Sequence, residues 1–424
     1  MGVSAFLEPL VVVSLLVTGT VINRDKFFWL STRPSTIHEQ RFNKKSDDTR
    51  KIPGDLESGH STPISPTDVT PHSGFLQKWR QRTLRLWGWS KVIKSPNTRV
   101  FQDRFLSRML RRYPFLIEAW YWALIYWVYQ IGRAFTALTM VKNTVDIARE
   151  HALQIIHLEQ RLHLFLELDV QHWFLKHPTL MHWTNRLYSF VHIPGTIAFL
   201  IILYYLTTTR YRGISSGGYP HSDRTFGPHV YEARRRTMAM CNLIAFIVFT
   251  LWPCMPPRLL SDPDYNGEYE DEAKSYGFVD TVHGTEGESS VWTTNKFCNQ
   301  YAAMPSLHFG YSFLIGLTIA SLPLSRSPYS LGINPKRILI VLFGLSYPFA
   351  ILAAIISTAN HFVLDAIAGA CVCGLAWWGN RFLLNLLALE DYFFWIVRIH
   401  KPVPSETMED EMWNHGLWDS DGTY

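Results

Sequence analysis

Long apolar runs alternate with strongly polar stretches along this 424-residue chain. Seven runs are long enough to cross a bilayer as helices. They cover 5–22, 115–131, 187–206, 237–254, 303–323, 338–356 and 362–379. The first is apolar except for Glu8, and Arg24 and Lys26 follow it with no basic stretch before it. That reads as an anchor helix rather than a cleaved signal. Residues 144–177 differ. Val145, Ala148, Ala152, Ile155, Leu162 and Phe165 recur close to helical spacing, with Asp146, Arg149, Glu150, Glu159 and Arg161 between them. This pattern predicts an amphipathic helix at the membrane interface. Residues 382–400 are apolar but interrupted by Glu390, Asp391 and Arg398, and are not assigned as a span.

The polar stretches complete the plan. Residues 23–74 scatter Pro, Ser, Asp and Lys with almost no apolar periodicity, the composition of a disordered segment. Residues 75–112 are basic, with Trp79, Leu84, Leu86, Trp87 and Trp89 interleaved. Two readings stand for them, a helix lying on a membrane surface and a solvated basic linker. The acidic tail from Ser405 reads as loose. The expected architecture is an all-α polytopic membrane protein. Its regions are an N-terminal membrane anchor (1–22), a largely disordered basic cytoplasmic region (23–114), a membrane-embedded domain (115–380) and a cytoplasmic tail (381–424).

Charge adds an orientation. The formal net charge is +5, and no nucleic-acid motif accompanies it, so the excess reads as membrane orientation and contact with anionic lipid. The segments after 22, 206, 323 and 379 are basic, whereas the loop 259–300 is acidic. With the basic segments in the cytoplasm, the chain threads through seven spans and the acidic loop faces the lumen or the outside.

Polar residues then gather at the mouths of spans. Tyr301–Gly310 reads YAAMPSLHFG: Pro305 suits a first helical turn, Ser306 can bond local backbone, and His308 lies one turn inside. Alone, this also describes a helix start with a satisfied interfacial histidine. Ser357–Gly369 reads STANHFVLDAIAG, which puts His361 and Asp365 on one helix face. Pro253–Leu260 reads PCMPPRLL and places Arg258 just beyond an apolar run. The orientation puts Arg258, His308 and His361 on one side of the membrane, an agreement that the motifs did not presuppose. Tyr188 and His192 open their span on the same side and are secondary binding candidates.

These residue types handle phosphate. A neutral imidazole can attack phosphorus, and a carboxylate one turn on orients it, so His361 is the candidate nucleophile and Asp365 its partner. His308 is the candidate general acid and base. Arg258, with Ser306 beside it, supplies donors for phosphate oxygens. No metal or other cofactor is expected: His151, His157 and His163 are six residues apart and do not share a face, and the five cysteines lack ligand spacing. Cys371 and Cys373 read as core. Cys254 and Cys298 flank the acidic loop, and a bridge between them and two free thiols are equal readings.

The stretches AAMPSLH, NHFVLDAIAG and PPR resemble the type 2 phosphatidic acid phosphatase superfamily, over roughly residues 120–379. Within it they look most like the inositol phosphorylceramide synthase (inositolphosphotransferase) branch, including fungal relatives. The resemblance implies a six-helix membrane core and a phosphohistidine intermediate on His361, with Asp365 as partner and His308 as acid. It also implies lipid partners, with phosphatidylinositol or another phospholipid as donor and ceramide among the acceptors, in the Golgi or endoplasmic reticulum with a lumenal site. Three positions depart from the phosphatase pattern. Leu251 stands for a Lys, Ile355 for an Arg and Leu307 for a Gly. Losing two cations disfavours a dianionic monoester more than a monoanionic diester. Arg161, Arg186 and His192 are the residues placed to fill the gap. The alternatives are a lipid phosphate phosphatase and a non-catalytic lipid-binding protein of the same fold.

Overall fold

A computed structural model describes residues 4–26, 78–86, 88–139, 144–210, 227–263, 265, 267, 269–282, 300–322 and 335–401. The chain opens with α1 (Ser4–Ile22), a hairpin of β1 (Trp79–Leu86) and β2 (Trp89–Pro96), and α2 (Phe105–Arg112). It continues through α3 (Phe115–Thr139), α4 (Thr144–Arg161), α5 (Glu167–Leu175), α6 (Pro178–Thr209) and α7 (Pro228–Leu251). Then come α8 (Glu270–Ser275), α9 (Leu307–Ala320), α10 (Pro335–Ser357), α11 (Val363–Gly379) and α12 (Leu387–Ile396).

The fold is therefore mostly helical. Among the described residues, three helical stretches are long and apolar enough to cross a membrane: Pro178–Thr209, Pro335–Ser357 and Val363–Ile396. Leu7–Ile22 and Leu307–Ala320 are shorter apolar helices. The runs expected at 115–131 and 237–254 fall within or across the ends of α3 and α7, of 25 and 24 residues. A core of Phe115, Tyr204, Tyr231, Cys241, Leu314 and Cys373 joins α3, α6, α7, α9 and α11. A second, around Ile156, Met255, Leu260, Phe278 and Phe362, seats α4 beneath the loops that carry the site.

Two local outcomes differ from the sequence expectations. The amphipathic stretch 144–177 is two helices, not one. α4 ends as His163 turns left-handed at φ 56°, and the Leu164 N–H returns to the Glu159 carbonyl at 2.8 Å. This is the C-terminal closure usually made by glycine. The second correction concerns 75–112, where neither a surface helix nor a linker describes residues 79–96. They form an antiparallel hairpin with Leu86 opposite Trp89 and Gly88 at φ 82° in the turn. The reason is tertiary. Arg82, 8% exposed, grips Asp391 through Nε (2.9 Å) and Nη2 (3.2 Å), and the Ser95 hydroxyl donates to the same carboxylate at 2.7 Å. Arg85 exchanges two backbone hydrogen bonds with the Asn385 amide, at 2.8 and 3.0 Å. A cavity of about 1080 Å³ lies between this hairpin, α3, α7 and α12, and no residue of the histidine motifs lines it.

The crossing of α9 and α11 sets the register of the two histidine motifs. A Cβ on Gly369 would stand 2.3 Å from the Ser306 carbonyl oxygen, and one on Gly310 would stand 3.1 Å from the Gly369 oxygen. Only glycine permits this approach. Gly374, on the same helix, has open space where its Cβ would be. Gly369→Ala should therefore destabilise the protein by about 1–3 kcal/mol, whereas Gly374→Ala should be neutral or stabilising by about 0.5–1 kcal/mol. Thermal unfolding of the two variants in detergent compares them, and equal melting temperatures would contradict the tight crossing.

Candidate functional site

Three loop-to-helix junctions meet at one end of the helical bundle. The turn Pro257–Leu259 brings Arg258, the start of α9 brings Ser306 and His308, and the start of α11 brings His361 and Asp365. Backbone hydrogen bonds tie the junctions together. The Cys254 N–H donates to the Tyr301 carbonyl (2.8 Å) and the Ala303 N–H to the Cys254 carbonyl (3.1 Å). The Arg258 N–H donates to Ala359 at 2.9 Å, and the Ser306 N–H to the Asp365 carbonyl at 3.0 Å. Of the two readings for Cys254, the structure has the free thiol, fully buried; Cys298 lies outside the described residues. The joining of the PPR and PSLH segments is thus made by main chain.

His361 is 5% exposed, and its Nδ1 lies 2.8 Å from the Ala303 carbonyl oxygen. A carbonyl only accepts, so Nδ1 carries the proton and a neutral ring keeps its lone pair on Nε2. Asp365 Oδ2 is 3.5 Å from the same Nδ1 and accepts the Phe362 N–H at 2.9 Å. The carbonyl is therefore the nearer orienting group and the carboxylate the nearer charge. Asp365 is wholly buried, and its Oδ1 has no hydrogen-bond partner. Ser306 is used structurally, since its hydroxyl caps α9 by accepting the Phe309 N–H at 3.3 Å.

His308 is at the centre of the ring cluster. Its ring centroid lies 5.6 Å from His361, 5.0 Å from His192 and 4.6 Å from Tyr188. His192 Nδ1 is 3.0 Å from the Tyr347 hydroxyl. Of the three residues placed by sequence to fill the cation gap, His192 joins this cluster, whereas Arg161 and Arg186 are exposed. The two departing positions that lack an expected cation do not replace a clamp. Leu251 is 78% exposed at the end of α7, and Ile355 is fully buried among Ile351, Ile356 and Ala366.

Arg258 is 8% exposed and firmly held. Its Nε donates to Asn360 Oδ1 at 2.9 Å and Nη1 to Asp280 Oδ2 at 2.7 Å. Arg149 braces the turn behind it, donating to the carbonyls of Leu260 (2.7 Å) and Leu259 (3.3 Å). Asp280 carries no sequence signature, and although Asn360 opens the NHFVLDAIAG stretch, nothing in that stretch shows that it reaches Arg258 across the fold. The Ala303 carbonyl has no residue identity at all. Among the described residues, no group of three His, Cys, Asp or Glu side chains is arranged to hold a metal ion.

The family model of the PAP2 superfamily matches residues 153–216 and 225–379, slightly more than half of the chain, and the chain belongs to that superfamily. Its members are phosphatases or phosphotransferases, so the protein is an enzyme of one of these kinds. No curated protein and no solved structure matches the chain.

Proposed function

We propose that the protein is a lipid phosphotransferase that moves an inositol-phosphate headgroup between lipids through a phosphohistidine on His361. The observation that carries this reading is the hydrogen bond from His361 Nδ1 to Ala303, which leaves Nε2 as the nucleophilic atom. In the first half-reaction Nε2 attacks the phosphodiester phosphorus, the bond to the diacylglycerol oxygen breaks, and His308 donates a proton to that oxygen. Asp365 balances the cation that develops on the phosphorylated ring. In the second half-reaction the hydroxyl of an acceptor such as ceramide attacks phosphorus, His308 takes its proton, and His361 leaves neutral. Arg258 binds the phosphate oxygens, and Tyr188 and His192 form the wall behind His308.

Two tests address the chemistry. His361→Ala should lower turnover by about 10⁴-fold or more with melting temperature retained, and acid-quench avoidance with labelled donor should trap an alkali-stable phosphoenzyme in the wild type alone. Near-normal turnover in the variant would remove His361 from the mechanism. The second test offers phosphatidylinositol and phosphatidic acid at equal surface concentration. With Leu251 and Ile355 in place of two cations, the monoanionic diester should show the larger kcat/KM. Rapid hydrolysis of phosphatidic acid with no attack on the inositol lipid would make the protein a lipid phosphate phosphatase.

The site is assigned to the lumenal face. Support comes from the opposite end of the bundle, where Arg235, Arg236 and Arg381 lie around the cavity beneath the hairpin. Cysteines introduced at exposed Ser275 and exposed Lys91 should label from opposite sides with an impermeant thiol reagent. Labelling of both from one side would overturn the orientation.

A further inference from the structure

At the start of α11, two and three residues beyond His361, the structure holds two buried carboxyl groups that the proposed reaction does not use. Glu159 on α4 and Glu167 at the start of α5 are both wholly buried. The left-handed His163 folds α5 back, so both side chains reach the first turn of α11. Glu159 Oε1 accepts the Leu364 N–H at 2.8 Å, and Glu167 Oε1 accepts the Val363 N–H at 2.7 Å. Adjacent N–H groups thus bring the two carboxyls within hydrogen-bonding reach of each other.

The two are not equivalent. Both oxygens of Glu167 accept backbone N–H groups, since Oε2 receives Leu166 at 3.0 Å. Glu159 Oε2 is buried and has no N–H or O–H donor. A bare carboxylate oxygen there, against a second carboxylate, would be unsolvated and repelled. A proton on it satisfies both groups.

We propose that Glu159 and Glu167 hold one proton between them, carried on Glu159 Oε2 and donated to the Glu167 carboxylate, and that this pair positions His361 by fixing the start of α11. The titratable groups facing Glu159 are Glu167 from α5, Asp365 from α11 and Cys254 from the turn after α7. Consistent with this, burial and then the Glu167 charge push the Glu159 carboxyl up to about 9, from an ordinary 4.5. The folded chain keeps a proton that the unfolded chain releases, so this site's contribution to stability falls as pH rises between those two values. The positioning role rests on His361 being the nucleophile; the shared proton does not.

The experiment measures melting temperature against pH for the purified full-length protein, with turnover alongside. In Glu159→Gln the amide oxygen still accepts the Leu364 N–H and the amide N–H still donates to Glu167. Its melting temperature should match wild type near pH 4.5 and exceed it increasingly as pH rises, because the variant loses the part of the decline that belongs to this site. Glu167→Gln sets an NH₂ group against the Leu166 or Val363 N–H, and should melt roughly 3–6 °C lower at every pH. It should also lower kcat by about 10–100-fold with KM little changed. Equal melting temperatures for the two glutamine variants, or a wild-type decline parallel to that of Glu159→Gln, would overturn the shared proton. Full turnover in a folded Glu167→Gln would overturn the positioning role. Activity surviving in His361→Ala would instead remove the catalytic reading and leave the melting asymmetry standing.

Discussion

The first turn of α11 begins inside the protein, where its N–H groups have no water to bond. That constraint organises the region. Asp365 takes the Phe362 N–H, Glu167 that of Val363 and Glu159 that of Leu364. The preceding N–H groups of Asn360 and His361 return to the Ile355 carbonyl, at 3.0 and 3.2 Å. Each unmet donor would cost about 1–3 kcal/mol in this setting. Satisfying them draws α4, α5 and α10 onto a single junction, and His361 sits at that junction. His361 is held still because the main chain on both sides of it has no alternative partner.

The same frame explains how a loop-borne histidine and arginine stay aligned. Arg258 is fixed at both ends of its guanidinium and along its backbone, while His361 takes its tautomer from the Ala303 carbonyl. Ala303 is in turn bonded to Cys254, four residues before Arg258. A shift of any one junction is passed to the other two through main chain, with no long flexible side chain to absorb it. Preorganised donors of this kind are suited to charge that develops during phosphoryl transfer.

Much of this was legible in the sequence. His361 and Asp365 at i, i+4, the PSLH helix start and the arginine after an apolar run were each readable as local patterns, and the fold gathers them. The helical runs and the polar interface stretch were also readable from periodicity. What could not be read was whatever depends on distant partners. Glu159 and Glu167 look like the solvated side of an amphipathic helix until His163 breaks it and folds both inward. Residues 79–96 offered basic and aromatic residues in a pattern that suited a surface helix, and only Asp391 and Asn385 explain why strands form. Gly369 carries no mark until the α9 backbone is seen against it.

The attachment of the hairpin bears on biosynthesis. Arg82 and Asp391 are 309 positions apart in the chain. At a translation speed of about 5–20 residues per second, some 15–60 s pass between the appearance of the arginine and that of its carboxylate. During that interval the strand has its own hairpin partner but no anchor, and Ser95 lacks its acceptor. The end of the molecule opposite the histidines is therefore the last to be completed. A ribosome that stops before Asn385 leaves behind a chain whose His308 and His361 motifs are already made but whose basic hairpin has nothing to grip.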